Sequence, residues 1–239
     1  MFLPTSIKEV RERGWEQLDV ILFTGDAYID HPAFGAAVIG RLLEAEGYRV
    51  AIVPQPNWRD DLRDFTKLGV PRLFFGVTAG AMDSMVNHYT ANLRLRHDDA
   101  YTPSGKAGFR PDRAVTVYTQ ILKRLFPHVP VVIGGIEASL RRLTHYDYWS
   151  DSLHPSVLVS SGADLLIYGM GEGVIQEVAQ AMRNGYNAKL LRKIRQVAFL
   201  ADRAYVERLD PSTTIRLHSF ERCQSDKRAF GENFVHIET

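Results

Sequence analysis

Five short apolar runs, each closed by turn residues, constrain the fold of this chain more than any other feature. They are "DVILFTG" at 19–25, "YRVAIVP" at 48–54, "RLFFGVT" at 72–78, "PVVIGG" at 130–135 and "ADLLIYG" at 163–169. None alternates apolar with polar residues, so each reads as a strand buried on both faces. Helical patterns separate them. Ala114, Val117, Tyr118, Ile121, Leu122 and Leu125 recur at the spacing of one helix face, with Asp112 placed to cap its start. Val38, Ile39, Leu42 and Leu43 make a second face before Gly47, and Val174, Ile175, Val178, Ala179 and Met182 a third before Gly185. Both glycines stand where helices commonly end in a left-handed residue. Strand and helix in alternation predict an α/β fold, a doubly wound parallel sheet of about five strands over residues 1–185. Residues 186–239 start as an amphipathic helix at "NAKLLRKIRQVAFLA" and turn polar and irregular, an extension without the periodicity for its own core.

Charge and cysteine usage exclude several classes. Twenty-nine Lys plus Arg against 28 Asp plus Glu leave a formal net charge of +1, so neither nucleic acid nor an anionic membrane is indicated. No apolar run approaches the roughly 18 to 20 residues needed to cross a bilayer. "MFLPTSIKEV" lacks the apolar centre of a signal peptide, which makes the cytoplasm the expected address. Cys223 is the single cysteine, and alone it supplies neither a disulfide nor the thiolates of a zinc or iron-sulfur site.

In an open parallel sheet ligands bind beyond the carboxyl ends of the strands, so the segments after each strand are the candidate site loops. "GDAYIDHPAFG" offers Asp26, Asp30, His31 and Gly35, with His31 and Pro32 also suited to setting the entry to a helix. "TAGAMDSMVNHYT" offers Asp83 and Ser84, which suit a helix cap over a core of Met82, Met85 and Val86. "GGIEASLRRLTHYDYWSD", 134–151, carries Gly134, Gly135, Glu137, Ser139, Arg141, His145, Asp147 and Asp151. Its residue types suggest buried arginine–carboxylate pairs that pack Tyr146, Tyr148 and Trp149 against a ligand or a second domain. "YGMGEG" brings Gly169, Gly171 and Glu172 to a helix start, where the carboxylate favours the helix dipole and opposes a phosphate. The connection "RLRHDDAYTPSGKAGFRPDR", 94–113, is long enough for a lid, and its Arg94, Arg96, Lys106, Arg110 and Arg113 suit an anionic ligand. The phosphate-loop spacing, the dinucleotide fingerprint, a zinc-ligand spacing and a nucleophile elbow are all missing, so no metal ligands and no catalytic nucleophile can be named.

The strings "DHPAFGAAVIGRLLEAEGY", "FFGVTAGAMDSMVNHYT", "DAYTPSGKAGFRPDRA", "GGIEASLRRLTHYDYWSD" and "LLIYGMGE" resemble the amino-terminal region of the YgiQ family of radical SAM proteins. The resemblance runs from near residue 5 to the end. It implies a following radical SAM core, whose C-x-x-x-C-x-x-C motif would bind a 4Fe-4S cluster and S-adenosylmethionine that this chain does not bind itself. The strand order and glycine turns are also similar to flavodoxin-like, cobalamin-binding domains. The corrin-ligand signature D-x-H-x-x-G is not met, since Asp30 and His31 are adjacent and Gly35 lies four positions after His31. Cobalamin without protein ligation stays open. The expected function is an accessory domain that shapes a ligand or substrate site facing the catalytic core of the same polypeptide. On that reading Glu137→Ala or His145→Ala harms activity more than folding. The alternative is a stand-alone regulatory module holding a small anion under the 94–113 lid.

Overall fold

The computed structural model describes residues 2–186 and 191–238. In chain order its elements are α1 (Ile7–Glu12), β1 (Val20–Thr24), α2 (Gly35–Ala45), β2 (Val50–Pro54), α3 (Arg63–Thr66), β3 (Phe74–Thr78), α4 (Ser84–His88) and α5 (Ala114–Leu125). They continue through β4 (Val131–Ile133), α6 (Gly135–Leu140), β5 (His145–Asp147), β6 (Ser152–His154), α7 (Val157–Ser161), β7 (Leu165–Ile167), α8 (Glu172–Arg183) and β8 (Val197–Ala198). Each of the five apolar runs contains one parallel strand of a doubly wound sheet. The order is β2-β1-β3-β4-β7-β8, the last strand antiparallel at the edge.

Alternation along β1 shows why these strands carry no polar face. Val20 and Leu22 enter a core with Leu43 of α2 and Val178 of α8, while Ile21 and Phe23 enter a second core with Tyr118 of α5 and Leu158 of α7. Both faces are covered, so both sets of alternating positions must be apolar. The connection after β1 leaves to the α2 side and that after β3 to the α5 side, which makes the carboxyl ends of these neighbours the topological switch of the sheet.

Several local expectations are corrected. The residue capping α5 is Arg113, in a left-handed conformation and without a side-chain cap, while Asp112 bonds His88 and Tyr89 instead. Val86 is exposed rather than core, although Met85 is buried as expected. Asn187, Ala188, Lys189 and Leu190 of the expected helix lie outside the described residues; beyond Leu191 the run turns and enters β8. Among the described residues, the tail carries helices at Arg203–Val206, Phe220–Ser225 and Lys227–Glu238, the second packed near β6. Strand β8 and the β5–β6 hairpin escape periodicity because two or three residues are too few to display it.

Candidate functional site

At the switch between β1 and β3, the chain segments are sewn together by buried charge. Asp26 follows β1 and accepts the Ala81 N–H at 2.6 Å. Arg110 reaches in from the 94–113 connection, 1% exposed, donating to Asp26 Oδ1 at 2.7 Å and to the Ala79 carbonyl at 3.0 Å. Its Nε lies 3.3 Å from Asp99 Oδ2, so one guanidinium faces two carboxylates. Burial raises the Asp26 pKa, against the pull of the Ala81 amide and Arg110. Gly80, at φ +114°, is packed so closely on Asp26 that a Cβ would overlap the carboxylate. The connection is therefore a pinned flap. Its Tyr101 carbonyl accepts from Ala27 at 2.9 Å, Thr102 accepts from Gln55 at 2.7 Å, and the Phe109 carbonyl accepts from Trp58 Nε1 at 3.0 Å.

The 134–151 stretch has a structural centre in Glu137, 1% exposed on α6. Its Oε2 accepts the Ser84 N–H at 2.8 Å and its Oε1 the Val115 N–H at 2.9 Å, so one carboxylate serves the amino ends of both α4 and α5. Burial raises its pKa and the hydrogen bonds from Ser84 and Val115 oppose this. Ser84 Oγ accepts from Ala114 N–H at 3.2 Å, and Asp83 caps α4 through Met85 and Val86 while pairing with Arg141. Asp147, buried on β5, accepts from Arg113 at 2.8 Å and from Ser150. Burial alone would raise the Asp147 pKa; the bonds from Ser150 and Arg113 outweigh it and hold the group below the ordinary carboxylate range. His145 Nδ1 lies 3.1 Å from the Leu143 carbonyl, and its ring faces that of His154 across the hairpin. Burial lowers its pKa.

On the other side of the same strand ends lies a cleft of about 310 Å³. Leu22, Val132 and Ile167 of the sheet, Ile39 of α2 and Ile175 of α8 supply apolar walls. Seven glycines line it: Gly35 at the start of α2, Gly76 within β3, Gly80, the pair Gly134 and Gly135 after β4, and Gly169 and Gly171 after β7. Glu172 is its one charged lining residue. The cleft thus combines apolar walls with backbone that a bound group can approach closely, and Glu172 supplies a carboxylate at its lining.

The sequence candidates thus divide. Gly35, Gly134, Gly135, Gly169, Gly171 and Glu172 meet at the cleft, and Ser139 stands behind it by accepting the Gly169 N–H at 3.2 Å. Asp26, Asp83, Ser84, Glu137, Arg141 and Asp147 belong to the closed networks, and His145 to the hairpin. His31 is exposed; its Nδ1 accepts the Ala33 N–H at 3.1 Å and its carbonyl the Phe34 N–H, which is the helix-entry role. Sequence reasoning missed Gly76 and Ile175. A glycine inside an apolar strand was a usable signal of close approach, whereas a helix isoleucine carries none. Among the described residues no group of three or more His, Cys, Asp or Glu could hold a metal ion, and no helix is long and apolar enough to cross a membrane.

A "UPF0313 protein" of Porphyromonas gingivalis is 63% identical over 237 residues, covering 99% of this chain and 37% of that protein. Its counterpart from Bacteroides thetaiotaomicron is 59% identical, covering 99% of this chain and 40% of the relative. The chain therefore spans well under half the length of these relatives. Among solved structures, a radical S-adenosylmethionine methyltransferase from Kitasatospora setae, with tryptophan substrate and a SAM analogue bound, is 20% identical at a TM-score of 0.49, over 77% of this chain and 29% of that one. The family described as "Radical SAM N-terminal" matches residues 2–239, and with relatives this similar over nearly its whole length the chain belongs to that family.

Proposed function

We propose that this chain is the accessory, ligand-shaping domain of a radical SAM enzyme and that the glycine-lined cleft is its ligand site. The observation that carries the reading is the convergence of bare backbone from the ends of β3, β4 and β7 and the start of α2 on one cleft at the topological switch. The cluster and S-adenosylmethionine belong to the polypeptide beyond this chain. Cys223 does not fit a cluster: it is buried, its Sγ accepts from Asn233 Nδ2 at 3.3 Å, and burial raises its pKa. Cobalt ligation by His31 does not fit either, because its Nδ1 accepts the Ala33 N–H, which leaves the proton of the neutral ring on Nε2 and no lone pair there for a metal.

The cleft suits the heteroaromatic base at the end of a corrinoid's tail, set against Ile39, Ile175 and the glycine turns, with the tail's phosphate left outside, away from the Glu172 carboxylate. The rival small-anion reading loses support from the flap itself. Arg110 is spent on Asp26 and Asp99, Arg113 on Asp147, and Arg96 donates to the Tyr89 carbonyl, which leaves the exposed Arg94 and Lys106 as the flap's cations for an anion, while the cleft carries a carboxylate. The test is a titration of the chain with hydroxocobalamin, followed by its visible spectrum and by equilibrium dialysis, in wild type and Gly35→Phe. The Gly35 Cβ position is open and its φ is not left-handed, so the new ring can enter the cleft without backbone strain. Binding by wild type and its loss in Gly35→Phe support the corrinoid version. Equal binding by both, or none by wild type, removes it.

A further inference from the structure

Helix α6 is built inside out. Of its residues, Glu137 and Ala138 are 1% and 0% exposed, whereas Ile136 and Leu140, four apart and therefore on one face, are 45% and 58% exposed. The buried carboxylate has its explanation in the two helix ends it serves, which fixes the rotation of α6 and forces the two aliphatic side chains outward. Met170, 76% exposed, stands on the next turn, tied to α6 by the bond between the Gly169 N–H and Ser139 Oγ. The nearby cation is drawn away: Arg142 donates to the Ser139 carbonyl and stacks on Tyr168. The same segment then presents Tyr146 and Tyr148, each about half exposed. Single exposed apolar residues mean little, but a group rimming a cleft, on a helix that buries its carboxylate, is the composition of a docking face.

We infer that the outward face of α6, with Met170, docks the part of the polypeptide that the relatives carry beyond the region matched here. This deepens the accessory-domain reading and rests on it. Three observations choose that occupant. More than half of each relative's length lies outside the matched region. The face adjoins the cleft, since Met170 lines it and Ile136 directly follows the lining residue Gly135, so a domain seated there also covers the cleft mouth. And the aliphatic group of Ile136, Leu140 and Met170 suits a permanent intramolecular interface better than a charged transient one.

The experiment is hydrogen exchange on the full-length polypeptide encoded by the native gene, wild type against Leu140→Asp and Ile136→Asp, at two protein concentrations. Both positions are exposed, so the variants keep the fold, which a thermal melt of each checks. Docking predicts slow exchange across 135–141 and 168–171 in wild type and an increase of about tenfold or more in both variants, independent of concentration. Fast exchange in wild type, or no change in the variants, overturns the docking face. Protection that grows with concentration also overturns it, by assigning the face to a second copy of the chain. Cluster and S-adenosylmethionine binding measured on the same wild-type sample tests the accessory-domain reading separately. A sample that binds both but leaves the α6 face unprotected loses only the docking inference, while a frame that ends at Thr239 removes both.

Discussion

The two sides of the strand carboxyl ends are built on opposite principles. On the α5 side, polar groups are closed upon one another: Arg110 with Asp26 and Asp99, Glu137 with two helix ends, Asp83 with Arg141, Asp147 with Arg113. On the α2 and α8 side the same strands end in glycines around a cleft with one charged lining residue. In sequence the charged side looks like the site, because acids, bases and histidines are what chemistry uses. In the fold, the charged side ties together the connections that follow β1, β3 and β4, with Asp99 Oδ2 and Asp147 Oδ1 buried and accepting no hydrogen bond, and the chemically plain side is open.

This contrast breaks most sharply at Arg110. Arg110→Met leaves two buried carboxylates facing each other and should cost roughly 3–5 kcal/mol of unfolding free energy, the usual penalty for removing one partner of a buried ionic cluster. Urea unfolding at neutral pH measures it. A loss below about 1 kcal/mol would mean that the network is not holding the switch together. Glu137→Ala comes next. It strands the Ser84 and Val115 amides in a dry interior, at about 1–3 kcal/mol each. The expectation that this substitution harms activity before folding therefore reverses for Glu137. Should Glu137→Ala melt like wild type while the full-length enzyme dies, the residue belongs to the site after all.

A smaller effect separates two acids on the charged side by sign. Asp26 has its folded pKa raised, by burial first, above the ordinary value of 3.8. The native chain then holds a proton that the unfolded chain has released, so the contribution of Asp26 to stability falls as pH rises from about that value through the folded pKa. Asp147 has its folded pKa lowered below 3.8, and its contribution is complete above that value and lost as pH falls through the folded pKa. Asp26→Asn should thus become less damaging relative to wild type as pH climbs from 4 to 7, and Asp147→Asn more damaging as pH climbs from strongly acid toward 4, in paired urea titrations. Slopes of the same sign would show that Arg110 neutralises Asp26 more fully than its burial opposes it.

How much of this was legible follows from what each signal encodes. The five parallel strands were legible because burial on both faces writes itself as unbroken apolar runs, and Val20 to Thr24 or Phe74 to Thr78 allow few other readings. The carboxyl edge was legible too, since Gly134, Gly135, Gly169 and Gly171 follow strands directly. What sequence could not carry is the face to which each connection turns. Glu137 and Gly135 are two residues apart, yet one is sealed against α4 and α5 and the other opens on the cleft. Nor could it pair Arg110 with Asp26, 84 residues away, because a contact of that range is a product of topology.

The smallest expected effect on the fold is the one most informative about the open side. Gly35→Phe places an aromatic ring in the cleft from the first turn of α2, at a position with free space at Cβ and an ordinary backbone conformation. A glycine in a helix is conformationally costly, so the replacement adds a few tenths of a kcal/mol of helix propensity, and the ring covers apolar surface of Ile39 and Ile175. Unfolding free energy should stay within about 0.5 kcal/mol of wild type or rise slightly. A loss of several kcal/mol, comparable to Arg110→Met, would mean that the cleft is packing space that the fold keeps closed, and the contrast between an open and a closed side of the strand ends would not stand. A neutral result isolates the cleft from the folding energetics, which is the condition under which its loss of ligand binding can be read as a property of the site.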